Sequence, residues 1–166
     1  MAYAVSALHT LDKPTLQGLD VNSTTSSGEE GKIVQSTDGR KYKYCAIDAS
    51  TSVVTTAGYP AWHMVGTTAN EVTGDYSDTD TAAEVTGCTF AGVFCAAASA
   101  GAASYGWVEL PNGALTADAS VCTNVGICDA LTAVNDYFFN ICASDEKPVA
   151  VAMEAASSNL ADIVML

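Results

Sequence analysis

Immediately after Asp38-Gly39 the residues alternate strictly. Tyr42, Tyr44 and Ala46 fall on one side of an extended segment, and Lys41, Lys43, Cys45 and Ile47 on the other. Successive side chains of a strand point to opposite faces, so a two-residue period fits a sheet and does not line one side of a helix. Asp-Gly is a strong hairpin signal, and the two-residue turn it favours needs positive φ at both central residues. The sequence therefore predicts a strand over 32–36, a tight turn, and a strand over 40–47.

The same reasoning places further strands at 61–65, 87–95, 105–110, 137–142, 149–154 and 161–166. In 61–65, Trp62 and Met64 alternate with His63 and Val65. In 87–95, Cys88, Phe90, Gly92 and Phe94 oppose Thr89, Ala91, Val93 and Cys95. Both sides are apolar there, as an inner strand requires. Pro111-Asn112-Gly113 closes the 105–110 strand. Asn135-Asp136 reads as a turn before 137–142, with a short helix over 129–134 as the alternative to extended structure there. Val93–Ser99 and Val151–Ser157 resemble each other, and each is followed by small residues and a second strand. One strand–turn–strand unit is thus used twice.

Ala, Thr, Ser, Val and Gly dominate while Leu and Ile are sparse, a mixture suited to thin, closely packed sheets. With 49% hydrophobic residues the chain has material for one core. The expected fold is mainly β: a compact antiparallel β-barrel or sandwich-like domain over 31–166, preceded by an extended N-terminal arm and linker over 1–30. Pro14 and Gly18 break the apolar residues of the arm, and Asn22–Glu30 reads NSTTSSGEE, a solvated stretch.

Charge narrows the function. Six Lys and Arg stand against nineteen Asp and Glu, a formal net charge of −13. Phosphate neutralisation needs clustered cations, so direct nucleic-acid binding is not expected. Nor is a membrane partner, since no run approaches the roughly 18 apolar residues of a span. The first ten residues lack the basic start and apolar run of a secretory signal. Cys45, Cys88, Cys95, Cys122, Cys128 and Cys142 lie among apolar neighbours and are expected to be mostly buried, reduced thiols.

Reactive chemistry finds little support. His9 and His63 are the histidines, and His63 lies in an ordinary strand pattern. Cys88 and Cys95, and Cys122 and Cys128, are spaced too widely for a structural zinc site. Asp75, Asp78, Asp80 and Glu84 do not follow the calcium-loop order. No Gly-x-Ser-x-Gly elbow, P-loop or Gly-x-Gly-x-x-Gly is present. No catalytic residue, cofactor site or metal site is assigned, and the chain is expected not to be an enzyme. Tyr105-Gly106-Trp107 reads either as a surface-recognition patch or as a core anchor. Gly106, which permits close strand approach, favours the core.

Three segments carry a family resemblance. Gly31-Lys32-Ile33-Val34 through Asp38-Gly39-Arg40-Lys41-Tyr42-Lys43-Tyr44 resembles the first hairpin of tailed-bacteriophage capsid decoration proteins. Phe90-Ala91-Gly92-Val93 with Tyr105-Gly106-Trp107-Val108 is similar to their internal strand pair. Val149–Ala155 with Asp162–Leu166 is similar to their closing strands. The six cysteines and the apolar stretch from Val121 to Cys142 depart from the family pattern. The resemblance implies a structural virion protein on the outer capsid surface, made in the host cytoplasm. It would bind the major capsid protein, form homotrimers and stabilise the head without catalysis or cofactor. Val5, Leu8, Leu11, Leu16 and Leu19 of the arm are then the candidate contacts to the capsid or a neighbouring subunit. A phage fibre or receptor- and glycan-binding module is the alternative.

Overall fold

A computed structural model of the chain describes residues 23–48, 56–64, 70–75, 90–99, 101–113, 115–120, 124–133, 139–144 and 146–166. The described residues are strands and connections without a helix. In chain order the strands are β1 (Ile33–Gln35), β2 (Lys41–Ile47), β3 (Pro60–His63), β4 (Glu71–Thr73), β5 (Phe90–Phe94) and β6 (Ser104–Leu110). They continue as β7 (Leu115–Ser120), β8 (Ala130–Thr132), β9 (Asn140–Ile141), β10 (Ala150–Ala152) and β11 (Leu160–Met165).

The first sheet runs β1-β2-β4-β3-β5-β6, and β6 also pairs back onto β2. β2, β4, β3, β5 and β6 therefore close a five-stranded barrel, with β1 outside the ring. Closure works because β2 divides its edges. One edge pairs with β6 along its whole length, from Lys41 opposite Leu110 to Ile47 opposite Ser104. The other is shared: β1 takes Lys41, Tyr42 and Lys43 antiparallel, and β4 takes Ala46 and Ile47 in parallel. The second sheet, β7-β11-β10-β8-β9, is antiparallel throughout.

Three apolar clusters follow from this topology. Cys45, Ile47, Ala61, Val72, Ala91, Phe94, Ala98 and Val108 fill the barrel. Val34, Tyr42, Tyr44 and Trp107 form a second cluster, with Cys95 and Tyr105 against it. Tyr44 and Trp107 meet edge to face at 5.3 Å, which makes the Tyr105-Gly106-Trp107 segment part of the core. The third joins the two sheets. Trp62 and Val93 from the barrel pack with Leu131, Phe139, Ala150, Ala152, Ala161, Ile163 and Met165. Alanine at 150, 152 and 161 keeps that sheet close to the barrel, where Phe90 sits edge to face with both Trp62 and Phe139.

Several expectations need correction. At Asp38-Gly39, only Gly39 has positive φ within the turn. The Gly39 N–H donates to the Ser36 carbonyl and the Ser36 N–H to the Arg40 carbonyl, so the loop has three residues rather than two. A single left-handed residue is enough for that geometry, and Asp38 is spared an unfavourable φ. The alternative helix over 129–134 gives way to β8, which is held between β10 and β9. The strand expected over 137–142 is Asn140–Ile141, and residues 137 and 138 lie outside the described residues, as do 65 and 87–89. β4, β7 and β8 were not anticipated. The repeated unit does fold twice: β5–β6 and β10–β11 are both antiparallel neighbours, one in each sheet.

The linker is more tightly held than its composition suggests. β5 meets β6 at Val108 and Glu109, leaving the same edge open at Tyr105. Ser23 takes that place, exchanging backbone hydrogen bonds with Tyr105 at 2.9 and 2.7 Å. Further on, the Gly31 N–H donates to the Tyr44 carbonyl and the Asn70 amide lies against Gly31, so this segment joins the barrel before β1 starts.

Candidate functional site

The interior of the barrel is taken up by side chains, so the surfaces available for function lie outside it. The second sheet has two unlike faces. Leu131, Ala150, Ala152, Ala161, Ile163 and Met165 turn toward the barrel and are sealed. The positions that alternate with them point the other way, by the two-residue period of a strand. These are Ala130 on β8, Val151 on β10 with Met153 just beyond it, and Leu160, Asp162 and Val164 on β11, followed by Leu166.

The register brings these residues side by side. Val151 pairs with Val164 on one side and with Ala130 on the other. The Met153 N–H donates to the Asp162 carbonyl at 2.8 Å, which places Met153 next to Asp162. The Leu166 N–H donates to the Val149 carbonyl at 2.9 Å and extends the row to the last residue. Met153 is 46% exposed, Leu160 36% and Leu166 63%. A contiguous apolar face of this kind marks a contact surface more often than scattered single residues do. Chemically it can bury area against a partner, with Asp162 the one charged group among the residues named.

The signal for this face was present in the sequence. Along 149–153 and 163–166 both alternate sets are apolar, with Glu154 and Asp162 the charged residues at their borders, whereas a sheet with one wet face alternates apolar with polar. Sequence reasoning used the pattern to find the strands and not to ask what covers their second side. The residues it chose instead, Val5, Leu8, Leu11, Leu16 and Leu19, lie outside the described residues.

Polar groups gather at the first hairpin. Arg40 Nε donates to Asp38 Oδ2 at 2.7 Å, its Nη2 reaches the same oxygen, and the Ser36 hydroxyl also donates to Asp38. The Arg40 hydrogen bonds, foremost, hold the Asp38 carboxyl down at about 2. Beyond Arg40 lie Tyr42 and Glu109, both sealed from solvent. Burial first, then the negative charge of Glu109, pushes the Tyr42 phenol well above its usual range. Tyr42 and Glu109 are shut in between β2 and β6 and brace the barrel wall, while Asp38 and Arg40 hold the turn at its rim.

The other candidate groups are dispersed. His63 is half-buried, and burial, followed by the charge of Lys43, lowers its pKa. Cys45 lies inside the barrel, where burial pushes the thiol up to about 11. Cys95 and Cys142 are half-buried, and Cys128 is exposed, which corrects the expectation for that residue. Cys128 occupies the turn before β8 with φ 67°, a left-handed position that turns its side chain out of the sheet pattern. None of these four cysteines is in a disulfide. Asp75 is buried with its N–H on the Thr73 hydroxyl, while Asp78, Asp80 and Glu84 lie outside the described residues. Among the described residues no three metal-ligating side chains come together.

Fold and surface together define a mainly β protein: a closed five-stranded barrel backed by a second sheet whose far side is apolar. No family model, curated protein or solved structure matches the chain.

Proposed function

We propose that this chain is a non-enzymatic structural protein of a virus particle that binds the outer surface of a major capsid protein lattice and stabilises a phage head. The observation that carries this reading is the apolar outer face of the second sheet, on a body whose barrel is filled with side chains. A head-stabilising subunit supplies contact area rather than chemistry. Repetition over a symmetric lattice multiplies contacts that are individually weak. The three segments on which the family resemblance rests give further support, since each folds as a pair of adjacent antiparallel strands. The strongly acidic composition suits a place outside a DNA-filled shell, away from phosphates.

The test is to mix purified protein with undecorated heads and measure bound protein by sedimentation and imaging. Saturable, stoichiometric coverage of the lattice, with heads that survive higher temperature, is the expected result. Binding to host cells with none to heads would replace this reading by the fibre or receptor-binding alternative.

A further inference from the structure

The cations of this acidic chain are concentrated on the first hairpin. Residues 31–44 hold Lys32, Arg40, Lys41 and Lys43 against Asp38 alone, four positive charges to one negative and a formal +3. The rest of the chain holds two cations and eighteen carboxylates, a formal −16, and the two parts together make −13. Glu29 binds Lys32 at 2.6 Å and Asp38 binds Arg40. Lys41 is exposed. Lys43 stands opposite Ile33 and Lys41 opposite Gln35, so these four side chains share one face of the hairpin.

The same hairpin ends its sheet. β1 pairs with β2 on one side and is the terminal strand on the other. Two hydrogen bonds fix which backbone groups face outward: the Tyr44 N–H donates to the Lys32 carbonyl, and the Ser36 N–H to the Arg40 carbonyl. Antiparallel pairs alternate between bonded and non-bonded positions. Val34 is therefore bonded to Tyr42, while the N–H and C=O of Ile33 and of Gln35 point away from β2. Among the described residues nothing pairs with these four groups, and the Ile33 side chain is 54% exposed. Proteins blunt an open edge with charge, proline or a bulge on the edge strand itself. Ile33, Val34 and Gln35 carry none of these, and the lysines of the exposed face lie one strand further in, on β2.

We infer that the outer edge of β1 takes up an extended segment of a partner protein as a further antiparallel strand, with acidic residues at every second position of that segment. The outward groups of Ile33 and Gln35 supply its main-chain hydrogen bonds. Its residues opposite Ile33 and Gln35 fall on the lysine face, two strand spacings or about 10 Å from β2, a gap that lysine and glutamate side chains bridge together. The residue between them falls beside Val34, at the margin of the cluster formed with Tyr42, Tyr44 and Trp107, and is apolar. An edge that offers donors and acceptors in equal number matches another backbone, whereas phosphate oxygens only accept. Pairing β1 with β1 of a second copy would line up the lysines of both copies on one face, which charge repulsion opposes. This edge is a different surface from the apolar face of the second sheet, so the inference and the capsid reading stand or fall separately.

The experiment uses the full chain, isotope-labelled for amide exchange, and a synthetic peptide of alternating Val and Glu. In the free protein the Ile33 and Gln35 amides should exchange with solvent at least about tenfold faster than that of Val34, and the peptide should slow both by at least about tenfold. Binding should saturate at one peptide per chain and weaken as salt is added. The same peptide with Lys in place of Glu should bind at least about tenfold more weakly. Lys41→Glu, at an exposed position, should weaken the Glu peptide several-fold. Gln35→Pro removes an outward donor without touching a bond to β2 and should weaken it further. Urea midpoints matching the natural protein establish that each variant is folded. The inference is overturned if the Ile33 and Gln35 amides are already protected in the free protein, whether by its own chain or, where sedimentation velocity shows a dimer, by a second copy. It is equally overturned if the peptide leaves them unprotected, if the Lys peptide binds as well as the Glu peptide, or if a single-stranded oligonucleotide protects the same amides in the peptide's place.

Discussion

Tyr42 and Glu109 stand directly opposite each other on β2 and β6, and neither reaches solvent. The same row continues outward to Val34 on β1 and, through Val93 on β5, to Pro60 on β3. It crosses the barrel wall at the height of the first hairpin, with Arg40 close enough to act on both central residues.

The Tyr42 ring and its hydroxyl should contribute very differently to stability. The hydroxyl has no hydrogen-bond partner in the structure, and burying such a group costs about 1–3 kcal/mol. Tyr42→Phe is therefore expected to leave stability unchanged or to raise it by about 1 kcal/mol. Tyr42→Ala should cost about 3–5 kcal/mol through the cavity it leaves. Urea denaturation of the three proteins checks this. A clear loss in Tyr42→Phe would mean that the hydroxyl donates to a neighbour such as Glu109.

Gly92 should be intolerant of any side chain. Its φ is +140°, and a Cβ there would lie 1.9 Å from the Glu109 carbonyl oxygen, a backbone atom that cannot swing aside. The register between β3 and β5 shifts beside it, at Ala61 and Trp62. Gly92→Ala should cost more than about 3 kcal/mol or prevent folding, combining backbone strain with a clash. Gly113→Ala, at φ +73° with open space around it, should cost about 1–2 kcal/mol. Thermal midpoints of the two variants should differ in that order.

Acid should weaken the first hairpin through Asp38. Its folded pKa, about 2, lies below the ordinary 3.8, so the carboxylate contributes stability that is fully present above about pH 4. That contribution is lost as pH falls from 4 toward 2, because the unfolded chain takes up the proton first. The Asp38 side chain is nearly half exposed, so solvent screening keeps the effect small. Asp38→Asn should lower the urea midpoint at pH 6, and the difference from the natural protein should shrink between pH 4 and 2. A difference that stays constant over that range would refute the assignment.

The described cysteines should react in order of exposure. Iodoacetamide at pH 8 should label Cys128 first and Cys95 and Cys142 more slowly. Cys45 should react only after unfolding, since it is enclosed and its thiol titrates at about 11. Peptide mapping by mass spectrometry after timed labelling reads the order directly. Early labelling of Cys45 would mean that the barrel opens at β2.

Local residue patterns are enough to show that this chain builds sheets, and they locate most of the strands. The alternation at Tyr42, Tyr44 and Ala46 and the doubly apolar 90–94 segment are local patterns, and a strand's two faces are written into every second residue. What escaped were the elements whose signal is weak or distant. Glu71–Thr73 is three residues long, and it becomes a strand because β3, close before it, and the more distant β2 both offer it edges. Leu115–Ser120 alternates apolar with polar residues, but three of the six are Ala117, Asp118 and Ala119, poor strand formers, and β11 holds it in place. Asp129–Val134 carries no period that separates helix from strand, and pairing with β9 and β10 decided the matter. Tertiary structure alone decided that β6 returns to β2 to close a barrel, that the two copies of the repeated unit enter different sheets, and which side of the second sheet is left uncovered. Closure depends on pairing between distant residues, such as Lys41 with Leu110, which lie 69 positions apart, and no local pattern encodes the choice of partner.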